Sequence, residues 1–150
     1  MNVFELLKQD HERVRRLFSE LAKTQGRQKQ ARQDLFHQLK RELLAHSHAE
    51  ERVFYPKLVD QPPAHDIIED GINEHHQVEK LLHRIEGMPV ETEEWMSAVT
   101  DLDQMFEHHT REEEARVFPK ARQLLRDDQF EPIGTQVEQV ENEERRRTPY

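Results

Sequence analysis

The sequence contains no cysteine. This absence excludes disulfide bonds, thiolate metal ligands, iron–sulfur clusters and cysteine nucleophiles. Glycine is also scarce, with four in 150 residues, whereas 35% of the residues are charged; this composition favours helices over sheets. No apolar run is long enough to span a membrane, and the N-terminal segment does not resemble a leader. We therefore predict a cytoplasmic protein without a membrane partner, of a length suited to one domain.

The charge balance is acidic. The formal net charge is −9, so the surface should repel nucleic acid and anionic lipid, and we predict no nucleic-acid partner. The basic run at residues 145–147 is short and follows several glutamates, which indicates a solvated tail rather than a binding patch. The oligomeric state stays open at this point.

Hydrophobic periodicity and chain breakers predict four helices. They cover about residues 2–24, 28–60, 64–86 and 92–126, with glycine or proline in the connections. Short connections make consecutive helices antiparallel neighbours, so the predicted fold is all-α, an up-down-up-down four-helix bundle over residues 1–126. Pro56 and Pro119 should kink or end the second and fourth helices. Residues 127–150 are predicted to form a peripheral C-terminal extension, with a short helix near residues 134–142 and then a disordered tail.

One motif occurs twice in the same register. A histidine is followed by glutamates four and five positions later, and then by a proline and a lysine. The two copies, 63 positions apart, are His46, Glu50, Glu51, Pro56 and Lys57, then His109, Glu113, Glu114, Pro119 and Lys120. A carboxylate–histidine pair precedes each copy, as Asp10-His11 and Glu74-His75. This repeat predicts that the bundle consists of two duplicated helical hairpins.

Each predicted helix has an apolar stripe that a histidine, or a histidine with a glutamate, interrupts. A histidine and a carboxylate four residues apart lie on the same helix face. A buried carboxylate without a partner takes up a proton or a cation, so polar side chains that converge in the core indicate a metal site. The predicted ligands are His11, His46, Glu50, His75, His109 and Glu113. Imidazoles with carboxylates suit iron best, with manganese and zinc as competitors.

Four further residues lie beside the predicted ligands. Glu51 and Glu114 rotate off the stripe, and we expect them at the surface or in contact with ligating imidazoles. Glu79 is expected at the surface, because its neighbour fills the stripe position. Tyr55 is expected to pack in the core rather than to act as a redox-active phenol.

These motifs resemble the hemerythrin-like family, also called the HHE cation-binding domain, over residues 3–126. Members of that family hold a non-heme di-iron centre inside an antiparallel four-helix bundle. The resemblance implies two iron ions with an oxide or hydroxide bridge, the four histidines as terminal ligands, and Glu50 and Glu113 as bridging ligands. Oxygen-carrying members have a further histidine where this chain has Glu79. The sequence is therefore more similar to the bacterial branch that is linked to oxygen, nitric oxide, peroxide and iron handling.

The function implied by this resemblance is the binding of O2 or a related small ligand, nitric oxide or peroxide, for sensing, storage or stress response. Two alternatives stay open. One is a di-iron enzyme with catalase-like, peroxidase-like, or NO- or O2-reducing activity, and the other is an iron storage or homeostasis protein. A metal-free helical interaction module would instead predict that replacing His46 or Glu113 leaves the metal content unchanged.

Overall fold

The computed structural model describes residues 1–148, which form a bundle of α-helices. Its four long helices are α1 Val3–Ala22, α2 Lys29–Ala49, α3 Pro62–Glu86 and α4 Glu93–Glu112. The short α5, Phe118–Leu124, follows α4, and α6, Phe130–Arg147, packs against α1 and α2. The predicted all-α four-helix bundle is confirmed, with α6 as an additional helix. Within residues 1–148, no helix has the combination of length and apolar character that crossing a membrane requires.

The helix ends follow local sequence signals. The side chain of Asn2 accepts a hydrogen bond from the backbone N–H of Glu5 at 2.9 Å and so caps α1. The hydroxyl of Thr92 accepts from the backbone N–H of Trp95 at 3.1 Å and caps α4. These caps satisfy backbone donors that have no partner inside the helix. They fix where the two helices begin.

The second and fourth predicted helices are interrupted earlier than their prolines. The chain widens into a π-helical turn at Glu50–Phe54, followed by a 3₁₀ turn at Tyr55–Lys57. The equivalent π-helical turn, Glu113–Val117, separates α4 from α5. A proline in a helix removes a backbone hydrogen bond, and Pro56 and Pro119 each lie at the beginning of the element that follows a π-helical turn. Helices two and four are thus interrupted at matching points, as predicted, but each interruption begins six residues before its proline, at Glu50 and at Glu113.

Two apolar clusters fill the bundle. One lies toward the start of α1 and includes Phe4, Phe54 and Phe118. The other lies toward the opposite end and includes Phe18 and Trp95. Apart from Arg32, the buried polar side chains lie on stretches of the helices between these clusters. The bundle therefore has an apolar region on each side of a polar layer.

The C-terminal helix is longer and more buried than the predicted short helix at 134–142. It begins at Phe130 and ends at Arg147, and Ile133, Val137 and Glu141 on one face are buried. Residues four positions apart lie on the same helix face, so these three side chains form a buried stripe. Sequence analysis did not identify the stripe, because one of its members is a glutamate and many of the neighbouring residues are charged. The expected disordered tail falls partly on residues 149–150, outside the described residues.

Candidate metal centre

The six predicted ligands are all buried in the polar layer. Their exposed fractions do not exceed 4%. They form two groups in which each residue offers a ligand atom within 4.8 Å of the others. The two triads are His11, His46 and Glu113, and His75, His109 and Glu50. The repeat offset relates one triad to the other, so the structure brings together every residue that the sequence analysis selected.

Each glutamate reaches histidines of both triads. Glu50 Oε1 lies 3.0 Å from His46 Nε2 and 3.1 Å from His75 Nε2. Glu113 Oε1 lies 3.1 Å from His11 Nε2, and its Oε2 lies 3.6 Å from His109 Nε2. Both carboxylates therefore lie between the triads, which is the arrangement that a ligand shared by two ions needs.

The outward-facing Nδ1 atom of every histidine in the triads has a carboxylate partner. We call these partners the outer carboxylates. The pairs are Glu114 with His11 at 2.7 Å, Asp10 with His46 at 3.0 Å, Glu51 with His75 at 2.9 Å, and Glu74 with His109 at 2.7 Å. With Nδ1–H donating to a carboxylate, the lone pair of Nε2 faces the centre. Such a contact fixes the tautomer and ring orientation of a metal-binding histidine.

Two buried polar atoms at the centre lack hydrogen-bond partners among the described residues, and this indicates whether a metal ion fits there. His46 Nε2 and Glu50 Oε2 are buried and have no hydrogen-bond partner within residues 1–148. The 3.0 Å approach between His46 Nε2 and Glu50 Oε1 is too poorly aligned to count as a hydrogen bond. His75 Nε2 and His109 Nε2 face each other at 3.1 Å. Nitrogen and oxygen lone pairs thus converge on one small volume, and a cation would satisfy them.

The buried carboxylates and imidazoles shift each other's protonation. Burial alone would lower the pKa of His75, but hydrogen bonds with Glu50 and Glu51 outweigh it and raise that pKa to about 9. Burial alone would raise the pKa of Glu50, but the charge on His46 and hydrogen bonds hold it well below its usual range. Protons and metal ions therefore compete for the same imidazole nitrogens.

Tyr55 contacts both central glutamates, which corrects the expectation that it only packs. Its hydroxyl donates to Glu113 Oε2 at 2.5 Å and lies 3.4 Å from Glu50 Oε1. Burial, then the charges of Glu113 and Glu50, raise the pKa of the phenol well above its ordinary value. The ring also stacks on His75, with centroids 5.4 Å apart. A neutral phenol is thus held against the carboxylates that lie between the triads.

A cleft reaches the centre from one side of the bundle. It has a volume of about 410 Å³ and lies between α3 and the end of α4, with Gly71, Glu74, His109 and Glu113 in its lining. In the other half of the repeat the position equivalent to Gly71 is Leu7, which is fully buried. The centre is therefore approached from the α3–α4 side.

Other titratable residues near the motifs lie outside the triads. Glu79 pairs with His48 at 3.1 Å and is partly exposed, as expected. His108 is largely exposed and lies 3.3 Å from Glu74. Sequence analysis assigned no role to Glu141, which is 1% exposed on α6 and belongs to a third group with Asp10 and His46. The sequence signal for its burial was its spacing of four and eight residues from the apolar residues Val137 and Ile133.

The fold and the site define a helical bundle with a buried cluster of histidines and carboxylates suited to cations. Comparison with known proteins identifies the family: residues 2–121 match the family described as hemerythrin HHE cation binding domain. The chain belongs to this family, whose domains bind metal ions. The resemblance inferred from the sequence motifs is thereby confirmed.

Two individual proteins are also similar to the chain. A protein of Nostoc sp. strain PCC 7120 named DNA nickase is 30% identical over 136 residues; the match covers 91% of this chain and 38% of that protein. The chain thus spans less than two fifths of that curated relative. The structure also superposes on the crystal structure of a hemerythrin HHE cation binding domain-containing protein from Mycobacterium kansasii. The TM-score between the two structures is 0.85, and their sequences are 24% identical. The superposition covers 97% of this chain and 88% of the Mycobacterium kansasii chain, so the two proteins share a fold.

Proposed function

We propose that the chain binds two iron ions and uses them to bind O2 or a related small ligand, nitric oxide or peroxide, for sensing, storage or stress response. One triad would hold each ion, with the two glutamates shared. The proposed ligands are His11, His46, Glu50, His75, His109 and Glu113. The observation that carries the proposal is the pair of triads, related by the sequence repeat, in which each glutamate reaches histidines of both.

Iron is the metal that this donor set favours. Four imidazoles disfavour calcium and magnesium, which prefer oxygen ligands. A structural zinc ion normally takes four ligands, often thiolates, whereas this chain offers six ligands and has no cysteine. Mixed imidazole and carboxylate ligands suit iron, with manganese as the main competitor.

The surrounding residues would prepare the site for a small ligand. Bound iron supplies a redox-active ion with room for an exogenous ligand. The outer carboxylates hold the four imidazoles in one tautomer and orientation. The cleft over Gly71 admits a molecule of a few atoms, and the two apolar clusters exclude bulk water on either side.

A second candidate function is enzymatic turnover of peroxide at the same centre. Tyr55 favours it, because a phenol in contact with both glutamates can hold or move a proton beside the bound ligand. Substrate and product would pass through the same cleft. Steady consumption of peroxide by iron-loaded protein separates this function from reversible binding.

We propose no nucleic-acid partner for this chain. The activity named for the Nostoc relative belongs to a protein of which the chain spans 38%. The net charge of −9 opposes binding to a phosphate backbone. A cytoplasmic location also stays a proposal, and it rests on composition alone.

The test is anaerobic reconstitution with ferrous iron, followed by exposure to O2 and then removal of O2 under argon. We expect two iron ions per chain and a charge-transfer band that appears with O2 and disappears with its removal. A band that persists, together with peroxide turnover, would support the second candidate instead. The His46→Ala and Glu113→Ala variants should lose iron, whereas His83→Ala, at a side chain 90% exposed, should not. If the wild-type protein binds no more iron than the His46→Ala and Glu113→Ala variants, both proposed functions are wrong.

A further inference from the structure

One of the four outer carboxylates has a different environment from the others. The side chains of Glu51, Glu74 and Glu114 are 26%, 27% and 29% exposed. The side chain of Asp10 is 4% exposed. The repeat relates Asp10 to Glu74, so the duplicated hairpins do not explain the difference. Something outside the repeat covers Asp10.

The cover is α6, and the residue it places against Asp10 is Glu141. Carboxylate oxygens of Asp10 and Glu141 lie within 4.8 Å of each other, in a group that also includes a ring nitrogen of His46. Ile133 and Val137, one and two turns earlier, are buried and anchor the helix. Glu141 Oε2 has no hydrogen-bond partner within residues 1–148. Arg145 lies 4.0 Å from Glu141 Oε1 and is bound to Glu42 at 2.9 Å.

Elementary chemistry decides which of these two carboxyl groups carries a proton. Two carboxylates cannot hydrogen-bond to each other unless one of them carries a proton. Asp10 Oδ2 already accepts from His46 Nδ1 at 3.0 Å, so the proton belongs to Glu141, which donates to Asp10. Burial, and then this hydrogen bond, raise the pKa of Glu141 to about 9. Burial of Glu141 beside Asp10 thus favours the neutral form of Glu141, which can donate to Asp10.

We propose that Glu141 is a positioning residue of the metal centre and that α6 is part of that centre. The neutral Glu141 holds Asp10, Asp10 holds Nδ1–H of His46, and Nε2 of His46 is thereby aimed at the ions. This inference rests on the proposed metal-binding function. The outer carboxylates of the other three histidines reach solvent, and their ion-pair partners lie on α1, α3 and α4 rather than on α6. His46 is thus the ligand whose orientation depends on a helix outside the repeated hairpins.

Three variants test the positioning role. Glu141→Leu removes the donor to Asp10, Glu141→Gln keeps it as an amide N–H, and Val137→Ala weakens the packing of the same helix without touching the polar contact. The probe is Co²⁺ alone, titrated into metal-free protein whose helical content is checked by circular dichroism. We expect Glu141→Leu to lower the affinity of one site about 10–100-fold, as for other contacts that orient a ligating histidine. Glu141→Gln should bind nearly as the wild type does, and Val137→Ala should lose stability without losing affinity.

Nuclear magnetic resonance of the Co²⁺-loaded protein supplies a readout that packing alone would not move. Each ligating imidazole with its Nδ1–H held by a carboxylate should give one exchangeable, hyperfine-shifted proton resonance. The wild type should show four. Glu141→Leu should shift or broaden one of them through faster exchange, and Glu141→Gln should restore it. Val137→Ala should retain all four.

The possible failures can be told apart. A wild type that binds no Co²⁺ contradicts the proposed function itself. A wild type with two sites and a Glu141→Leu variant with the same affinities and resonances contradicts the positioning role alone. Asp10, His46 and Glu141 also have the composition of a separate cation site. A third equivalent of Co²⁺ that Glu141→Leu abolishes would therefore overturn the proposal as well.

Discussion

Tyr55 and Phe118 occupy equivalent positions in the two hairpins, and they differ by one hydroxyl. They lie 63 positions apart, the same offset as His46 and His109. Each ring stacks on a histidine: Tyr55 on His75 with an interplanar angle of 12°, and Phe118 on His11 with an angle of 5°. Only the Tyr55 half places a phenol against the glutamates. The two halves of the centre therefore differ chemically, although each has two histidines and one glutamate.

Replacing Tyr55 with phenylalanine should leave the fold and the metal content unchanged but lower the free energy of unfolding of the metal-free protein. Phe118 shows that a phenyl ring fits against the equivalent histidine. The buried carboxylate of Glu113 would lose its donor, at a cost of about 1–3 kcal/mol. Urea denaturation of metal-free protein gives the change in free energy of unfolding. An unchanged value for Tyr55→Phe would show that the hydroxyl contact contributes nothing to stability.

Alanine at Gly134 should destabilise the protein by displacing α6. A Cβ atom there would lie 2.4 Å from the backbone oxygen of Met1 and 2.9 Å from the backbone nitrogen of Val3. An exposed glycine in a helix would instead gain about 1 kcal/mol on this substitution. The matched control is Gly87→Ala, where the nearest atom is at an ordinary 3.6 Å. Thermal melts should show a lower midpoint for Gly134→Ala alone, and a midpoint at or above that of the control would contradict the close packing.

The metal-free protein should lose stability as the pH rises from 6.5 to about 9. The pKa of His75 rises from 6.5 to about 9 on folding, so its contribution is complete below 6.5 and is lost as the pH passes through 9. The pKa of Glu141 rises from 4.5 to about 9, which acts in the same direction. Urea denaturation at several pH values in this interval measures the trend. Stability that stays level or increases would contradict these shifts.

The metal-loaded protein provides the control for the pH series. Metal ions replace protons on the imidazoles, so metal affinity should increase over the same pH interval. The stability of the loaded protein should therefore fall less steeply than that of the metal-free protein. Parallel pH profiles for the two forms would mean that the metal does not occupy the histidines.

Removal of the metal with a chelator should lower stability without unfolding the bundle. The two apolar clusters flank the polar layer and do not depend on it. A metal present at about 100-fold its dissociation constant stabilises the folded state by about 2.7 kcal/mol, and this part would be lost. Far-UV circular dichroism before and after chelation checks the helical content. Loss of helix on chelation would instead favour a protein that folds in response to iron.

Sequence analysis predicted the parts of this molecule that repeat or follow helical periodicity. The duplicated motif located His46 and His109 in the core because apolar residues flank them at steps of three and four. It left Glu51 and Glu114 either at the surface or in contact with the imidazoles, and in the structure they contact His75 and His11. These features depend on spacing along one helix, which the sequence shows directly.

The features that were missed depend on contacts between distant segments. The hydroxyl of Tyr55 could not be placed, because the π-helical turn before it changes the helical phase. Glu141 was missed because a glutamate in a buried stripe looks like a surface residue until its partner, Asp10, is known. That partner lies on another helix, 131 positions earlier in the sequence.

The π-helical turn at Glu50–Phe54 decides which aromatic ring faces the centre. In an α-helix the residue four positions after Glu50, Phe54, would share its face, and Tyr55 would point about 100° further round. The wider turn, closed by a hydrogen bond from Tyr55 N–H to the carbonyl of Glu50, brings the fifth residue over the glutamate instead. If the same residues formed an α-helical turn, a phenyl ring would therefore replace the phenol beside Glu50, although the sequence would be unchanged.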